Sequence, residues 1–345
     1  MIIKRGVGDL NKIYRPCTIK EFIGNNTVRN IIRVGIEDGT LPHSILFTGI
    51  SGTGKTTMAR IIALGLNCKN GPTANPCCQC SSCKAILDSN SFSVIEVDGA
   101  RTGNVDIMRE ILNNLPSAPL SDDRYKVLII DEAHNLSTKS QSSLLKTLED
   151  NMRHVYIILC TNEPGKLKDV TLNRCKTIKF GRLLDKDVYK LVKEVAEFEG
   201  MNYNKEVLNY IVEESYGIPR QALSYLQLVA AENSWTKDAA SLIISAGLEA
   251  DQVEVFEFCK VLLRGVWKEI LIALKKIKNV PTESIRIIIN GFMAGCLKNS
   301  KNMIEAKKFS RILDVTSTPY YVPKPEHMLL NDLFKIVLIL RGENV

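Results

Sequence analysis

Long apolar runs are missing from this chain. The longest, "VYIILC" and "IVLIL", fall far short of the ~18 residues that a membrane-spanning helix needs. The N-terminal stretch "MIIKRGVGDLNKIYRP" carries basic residues but no apolar segment of the secretory type. Low-complexity tracts and internal repeats are also lacking, and 24% of the residues are charged, which fits a folded globular protein and excludes a disordered one. Nor is charge of one sign gathered anywhere. The net charge of +7 is spread along the chain, so it permits a polyanionic partner without naming one. The 345 residues leave room for two or three domains, and the expectation is a soluble, cytosolic protein.

What is present begins with short β-branched runs. "SILFT" (44–48), "SVIEVD" (93–98), "KVLIID" (126–131), "HVYIILC" (154–160) and "CKTIKF" (175–180) read as near-continuous buried strands. Helical spacing follows each of the first four, so the pattern predicts an α/β fold with a parallel sheet. After Phe180 the strands stop. "DKDVYKLVKEVAEFEG" and "NKEVLNYIVEESYG" are amphipathic and end at Gly200 and Gly217, where a helix would take its C-terminal glycine. A further helix begins near Pro219, and "AENSWTKD" (231–238) is a candidate hinge before a mostly helical remainder.

"GISGTGKT" follows the first strand and opens the helix "TTMARIIALGL". This is the G-x-x-x-x-G-K-[ST] phosphate loop in its required strand–loop–helix setting. Gly49, Gly52, Thr53, Gly54, Lys55, Thr56 and Thr57 form the candidate site. The glycines let backbone N–H groups turn onto phosphate oxygens, and the helix N-terminus adds its positive end. Lys55 would neutralise the β and γ phosphates of ATP, and Thr56 would ligate Mg²⁺. "KVLIIDEAH" supplies the acidic half: Asp131 for the magnesium shell and Glu132 to polarise the attacking water. "DEAH" is shared with helicases, whose other motifs are missing here.

Five of the ten cysteines lie between Cys68 and Cys83. Cys68, Cys77, Cys80 and Cys83 offer four thiolates with two C-x-x-C spacings, the pattern of a closed, structural Zn²⁺ site. Cys78 is spare. Disulfides compete with this reading but do not suit a reducing cytosol, and iron–sulfur ligation is a further alternative. Cysteines 17, 160, 175, 259 and 296 stand in apolar settings and read as core filler.

These residues resemble the gamma/tau subunits of bacterial DNA polymerase III, the AAA+ ATPase motors of the sliding-clamp loader. The similarity runs from about residue 11 to 230, through "YRPCTIKEFIGN", the phosphate loop, the cysteine cluster, "LIIDEAHNLSTKSQSSLLKTLED", "NRC" and "GIPRQALSYL". The resemblance implies that Tyr14, Arg15, Pro16, Phe22 and Ile23 line an adenine pocket. It implies that Asn162 is a polar sensor orienting the water, with Thr161 the alternative. It makes Arg220 a second sensor reaching the γ-phosphate from a helical lid. Arg174 matches an arginine finger aimed at ATP on the neighbouring subunit; the family has Ser-Arg-Cys where this chain has Asn173-Arg174-Cys175. The resemblance also implies Arg101, Thr102 and Lys139 as candidate contacts to DNA phosphates.

The resemblance divides the chain into an AAA+ domain (1–180, with the zinc module at 68–83), a helical lid (181–245) and a helical collar (246–345). It implies a pentamer with delta- and delta-prime-like subunits or copies of this chain, a ring-shaped clamp, and primer–template DNA. The chain stops at Val345, short of the tau extensions that hold polymerase and helicase, and the expectation is a short form of phage or mobile-element origin. Two other readings remain: an ATP-bound scaffold of the same assembly that does not hydrolyse, and another AAA+ machine such as a helicase loader. Glu132→Gln separates motor from scaffold, and binding to a clamp separates the loader from the rest.

Overall fold

The strand-forming runs assemble into one parallel sheet in the computed structural model, which describes residues 3–5, 8–100, 105–119, 123–150, 152–233, 235–246, 250–277, 280, 282–298, 300, 302–318 and 326–343. The strands are β1 (Ser44–Thr48), β2 (Val94–Asp98), β3 (Lys126–Asp131), β4 (Val155–Thr161) and β5 (Lys176–Lys179). Their order is β2-β3-β4-β1-β5, and every pairing is parallel. Alternate residues feed two apolar layers. Ile45, Phe47, Val127, Ile129, Ile158 and Cys160 enter one, while Leu46, Leu128, Ile130, Ile157 and Leu159 enter the other. Burial on both faces is what near-continuous Val/Ile/Leu runs require.

One expectation needs adjustment. β2 and β5 are not buried interior strands: they lie at the two sheet edges, where Glu96 and Asp98 of β2 and Lys176, Thr177 and Lys179 of β5 are exposed. The local pattern "SVIEVD" cannot report where a strand falls in the sheet, because that depends on crossovers and not on neighbours in sequence.

The helices of the first unit, residues 1–241, flank this sheet or follow it. They are α1 (Leu10–Ile13), α2 (Asn26–Glu37), α3 (Lys55–Asn67), α4 (Ser81–Leu87), α5 (Val105–Asn114), α6 (Thr138–Glu149) and α7 (Asp169–Arg174). Then come α8 (Asp185–Phe198), α9 (Lys205–Glu214), α10 (Pro219–Ala231) and α11 (Lys237–Ala246), the last of which runs across the unit boundary. Proline at the first position of α10 starts that helix without forfeiting a needed N–H. Gly217, at φ +73°, lets the turn before α10 approach the Leu183 carbonyl, where a Cβ would stand only 2.5 Å away.

The second unit, residues 242–345, is helical where it is described: α12 (Ala250–Leu263), α13 (Trp267–Lys276), α14 (Thr282–Lys298), α15 (Met303–Thr316) and α16 (Glu326–Arg341). Phe258, Leu262, Ile289, Met293, Ile312, Leu333 and Ile336 form its core. No described helix in the chain is long and apolar enough to cross a membrane.

Candidate nucleotide-binding site

The parallel register brings the C-terminal ends of β1, β3 and β4 together, which is where open α/β sheets bind ligands. Thr48 leads directly into the phosphate loop. Gly49, Gly52 and Gly54 have φ of +142°, +79° and +100°, a region that side chains rarely enter. Space is short as well: a Cβ on Gly54 would stand 2.6 Å from Phe22 Cζ, and one on Gly49 2.4 Å from the Phe180 carbonyl oxygen. Thr53 is buried and its hydroxyl donates to the Ile50 carbonyl at 2.7 Å, which closes the loop. Lys55 opens α3 and folds back over the loop, donating to the Gly49 and Ile50 carbonyls at 2.8 and 3.0 Å. Burial lowers its pKa, an effect opposed in part by Cys160, Glu132 and Asp131.

The acidic half meets the loop through one contact. Thr56 Oγ1 donates to Asp131 Oδ2 at 2.8 Å across 75 residues of sequence. A hydroxyl beside a carboxylate at the mouth of a glycine cradle is a donor set that suits Mg²⁺. Glu132 follows at φ +46°, and its backbone N–H donates to Asp131 Oδ1 at 3.0 Å. At the end of β4, Thr161 is buried while Asn162 is exposed.

A cavity of about 210 Å³ opens onto these groups. Its walls include Tyr14, Arg15, Pro16, Phe22, Ile23, Gly52, Thr53, Gly54, Lys55, Thr56, Thr57, Asp131, Glu132 and Arg220. Gly49 does not line it, because its place is against Phe180 behind the loop; Asn162 and Arg174 do not line it either. Tyr14 is anchored from outside the cavity: its hydroxyl donates to Glu199 at the end of α8, which Lys4 also reaches at 2.8 Å. Hydrogen bonds from Asn11 to Ser224 and from Leu10 N–H to Gln227 tie the same segment to α10. The cavity therefore has one wall from the N-terminal segment and one from the helices after the sheet.

Sequence reasoning missed Arg60 and Glu96, which also line the cavity and form a paired-oxygen ion pair at 2.6 and 2.7 Å. Arg15, Arg60 and Arg220 gather at this cavity. Burial lowers the Arg15 pKa, and the neighbouring Arg60 and Arg220 guanidiniums lower it further. Concentrated positive charge of this kind suits a triphosphate. The signal available in the sequence was an arginine one helical turn past Thr56, on the face of α3 that returns to the site.

The cysteines converge as well. The Sγ atoms of Cys68, Cys77, Cys80 and Cys83 all lie within 4.8 Å of one another. A tetrahedral Zn²⁺ with bonds of ~2.3 Å has sulfur–sulfur edges of ~3.8 Å, so this donor set fits zinc. Backbone N–H groups of Cys77, Cys80 and Cys83 donate to Sγ of Cys68, Cys77 and Cys80 at 3.4 to 3.5 Å. Backbone N–H groups of Gln79 and Cys80 bring the Cys77 thiol down to about 7, favouring the thiolate that binds metal. Cys78 points elsewhere, toward Cys17.

Comparison with known proteins gives this geometry a family. A model of the "DNA polymerase III, delta subunit" matches residues 24–183. The DNA polymerase III subunit gamma of Buchnera aphidicola subsp. Schizaphis graminum is 33% identical over 283 residues, covering 81% of this chain and 77% of that protein. The chain belongs to the DNA polymerase III gamma/tau family. The longer gamma/tau subunit of Mycobacterium tuberculosis H37Rv is 36% identical over 224 residues, with 64% of this chain and 39% of that protein covered. Among solved structures, the Thermotoga maritima RuvB Holliday junction branch migration motor aligns at a TM-score of 0.53 and 20% identity, over 72% of this chain and 80% of its own. That likeness shows the shared AAA+ fold.

Arg174 and Lys139, also expected from the gamma/tau resemblance, do not line the cavity. Arg174 ends α7, ahead of β5, and its guanidinium donates to the Val170 carbonyl at 3.1 Å and pairs with Glu149. Lys139 is exposed near the start of α6. Arg101 and Thr102 lie outside the described residues.

Proposed function

We propose that this gamma/tau chain is an ATP-driven motor subunit of a sliding-clamp loader, acting in the cytoplasm with other loader subunits, a ring clamp and primer–template DNA. The observation that carries the ATPase reading is the Thr56–Asp131 hydrogen bond, which joins the phosphate loop to the acidic strand end beside Glu132. The loop N–H groups and the start of α3 receive the phosphates, and Lys55 exchanges its carbonyl partners for the β and γ oxygens. Mg²⁺, held by Thr56 and Asp131, would supply neutralising charge on those phosphates. Tyr14, Pro16, Phe22 and Ile23 take the base, and Arg220 reaches the γ-phosphate from α10. Glu132 polarises the attacking water, and Asn162 orients it once the turn after β4 swings toward the site.

Arg174 would serve the ATP of an adjoining subunit, so assembly and hydrolysis are coupled. Cys68, Cys77, Cys80 and Cys83 would hold Zn²⁺ in a structural role. Glu132→Gln tests the scheme. The variant should bind ATP normally and lose hydrolysis by about 10²–10⁴-fold, the range of a general base. Measured with clamp and primed DNA, wild-type hydrolysis should rise and Glu132→Gln should not. Equal turnover by the two proteins would overturn the motor reading.

A further inference from the structure

His134 holds a position that the scheme above does not use. It lies two residues after Glu132, in the 3-10 turn Ala133–Asn135, with its side chain 8% exposed. Its Nδ1 is 3.2 Å from Thr161 Oγ1 and 3.4 Å from Glu132 Oε2. On the far side of the ring, Nε2 is 3.5 Å from Glu163 Oε1. Glu163 has partners of its own: its N–H donates to Thr161 Oγ1 at 3.0 Å and its carboxylate meets Lys166 at 2.9 Å. One imidazole therefore touches Glu132 and both residues that flank Asn162.

A neutral imidazole has one N–H and one lone pair, and which nitrogen holds the proton depends on its partners. With the proton on Nδ1 the ring can donate to Glu132. With the proton on Nε2 it donates toward Glu163, and Nδ1 accepts from the Thr161 hydroxyl. In the neutral ring the two carboxylates thus compete for one donor.

We propose that His134 is a positioning residue: its ring aims the Glu132 carboxylate and ties that aim to the turn carrying Asn162, through Thr161 and Glu163. The proposal rests on Glu132 as the water-polarising group. It explains why a group so near the site is buried between two carboxylates instead of pointing into solvent. Glu132 itself has left-handed backbone (φ +46°) immediately after the last residue of β3.

The test uses the full chain assembled with its loader partners, clamp and primed DNA. His134→Ala should lower kcat by about tenfold or more while the Kd for a fluorescent ATP analogue stays within about twofold; His134→Gln, which keeps one donor and one acceptor, should recover part of the loss. A second readout needs no turnover. The chain has four histidines, so ¹⁵N-histidine spectra of the free chain are simple, and the His134 ring signals are those lost in His134→Gln. Glu132→Gln should shift the Nδ1 signal, and Glu163→Gln the Nε2 signal. Full kcat in His134→Ala, or ring signals indifferent to Glu132→Gln, overturns the proposal. Glu132→Gln also separates the two readings: if it hydrolyses ATP like the wild type, the nucleotide-site scheme fails, and if it stops while His134→Ala does not, only the positioning role fails.

Discussion

At the scale of single residues, the site depends on positions that have no room for a side chain. Gly52 is the sharpest case. Its φ of +79° disfavours any side chain, and an added Cβ would stand 2.8 Å from Ile218 Cγ2 and 3.2 Å from Arg220 Cβ. The phosphate loop and the start of α10 thus touch through the one residue that leaves room for them. Gly52→Ala should push that contact apart, displace Arg220 from its place in the cavity wall and strain the loop. At this φ the change should destabilise by more than the ~0.4–1 kcal/mol that Gly→Ala gains where the backbone suits alanine, and ATP affinity should fall by about tenfold or more, read by titration calorimetry. An unchanged affinity would mean that the loop and α10 are not coupled by close packing.

At the scale of elements, the cysteine segment between α3 and α4 shows what a metal would contribute. It is short, polar and rich in turns, with Cys68 capping α3 and Cys80 capping α4. Its apolar support is a small cluster of Cys17, Leu64, Cys68, Cys83 and Ile86, too little to hold a loop of this length unaided. Elemental analysis should find about one zinc per chain, and Cys83→Ser should abolish it and lower the melting temperature, because a three-sulfur site binds far more weakly. The elements also show what was legible. Five strands and the phosphate loop could be read because their information is local: β-branched runs, glycines, and a lysine at fixed spacing. The Asp131 carboxylate was legible because it ends such a run. Arg60, Glu96 and His134 were not, since each gains its meaning from a partner that the fold brings near: Glu96 for Arg60, and Glu163 for His134. The edge position of β2 was hidden for the same reason.

At the scale of the whole molecule, the question is where Arg174 acts. In the single chain its side chain is one-third exposed and paired with Glu149, itself about half exposed. Such surface pairs contribute only ~0–1 kcal/mol, so exchanging Glu149 for a phosphate on an adjoining subunit costs little. A finger serving its own chain would line its own nucleotide cavity, and Arg174 does not. Arg174→Ala should therefore leave the isolated chain nearly untouched: its melting temperature, its ATP affinity and its slow residual hydrolysis should match the wild type. In the assembled loader the same change should lower stimulated hydrolysis by about 10³-fold or more, the range of an arginine finger supplied in trans. Rates measured across a dilution series separate the cases. Loss of a finger acting within its own chain would depress hydrolysis equally at every concentration, whereas loss of one acting across a subunit boundary matters only where subunits meet.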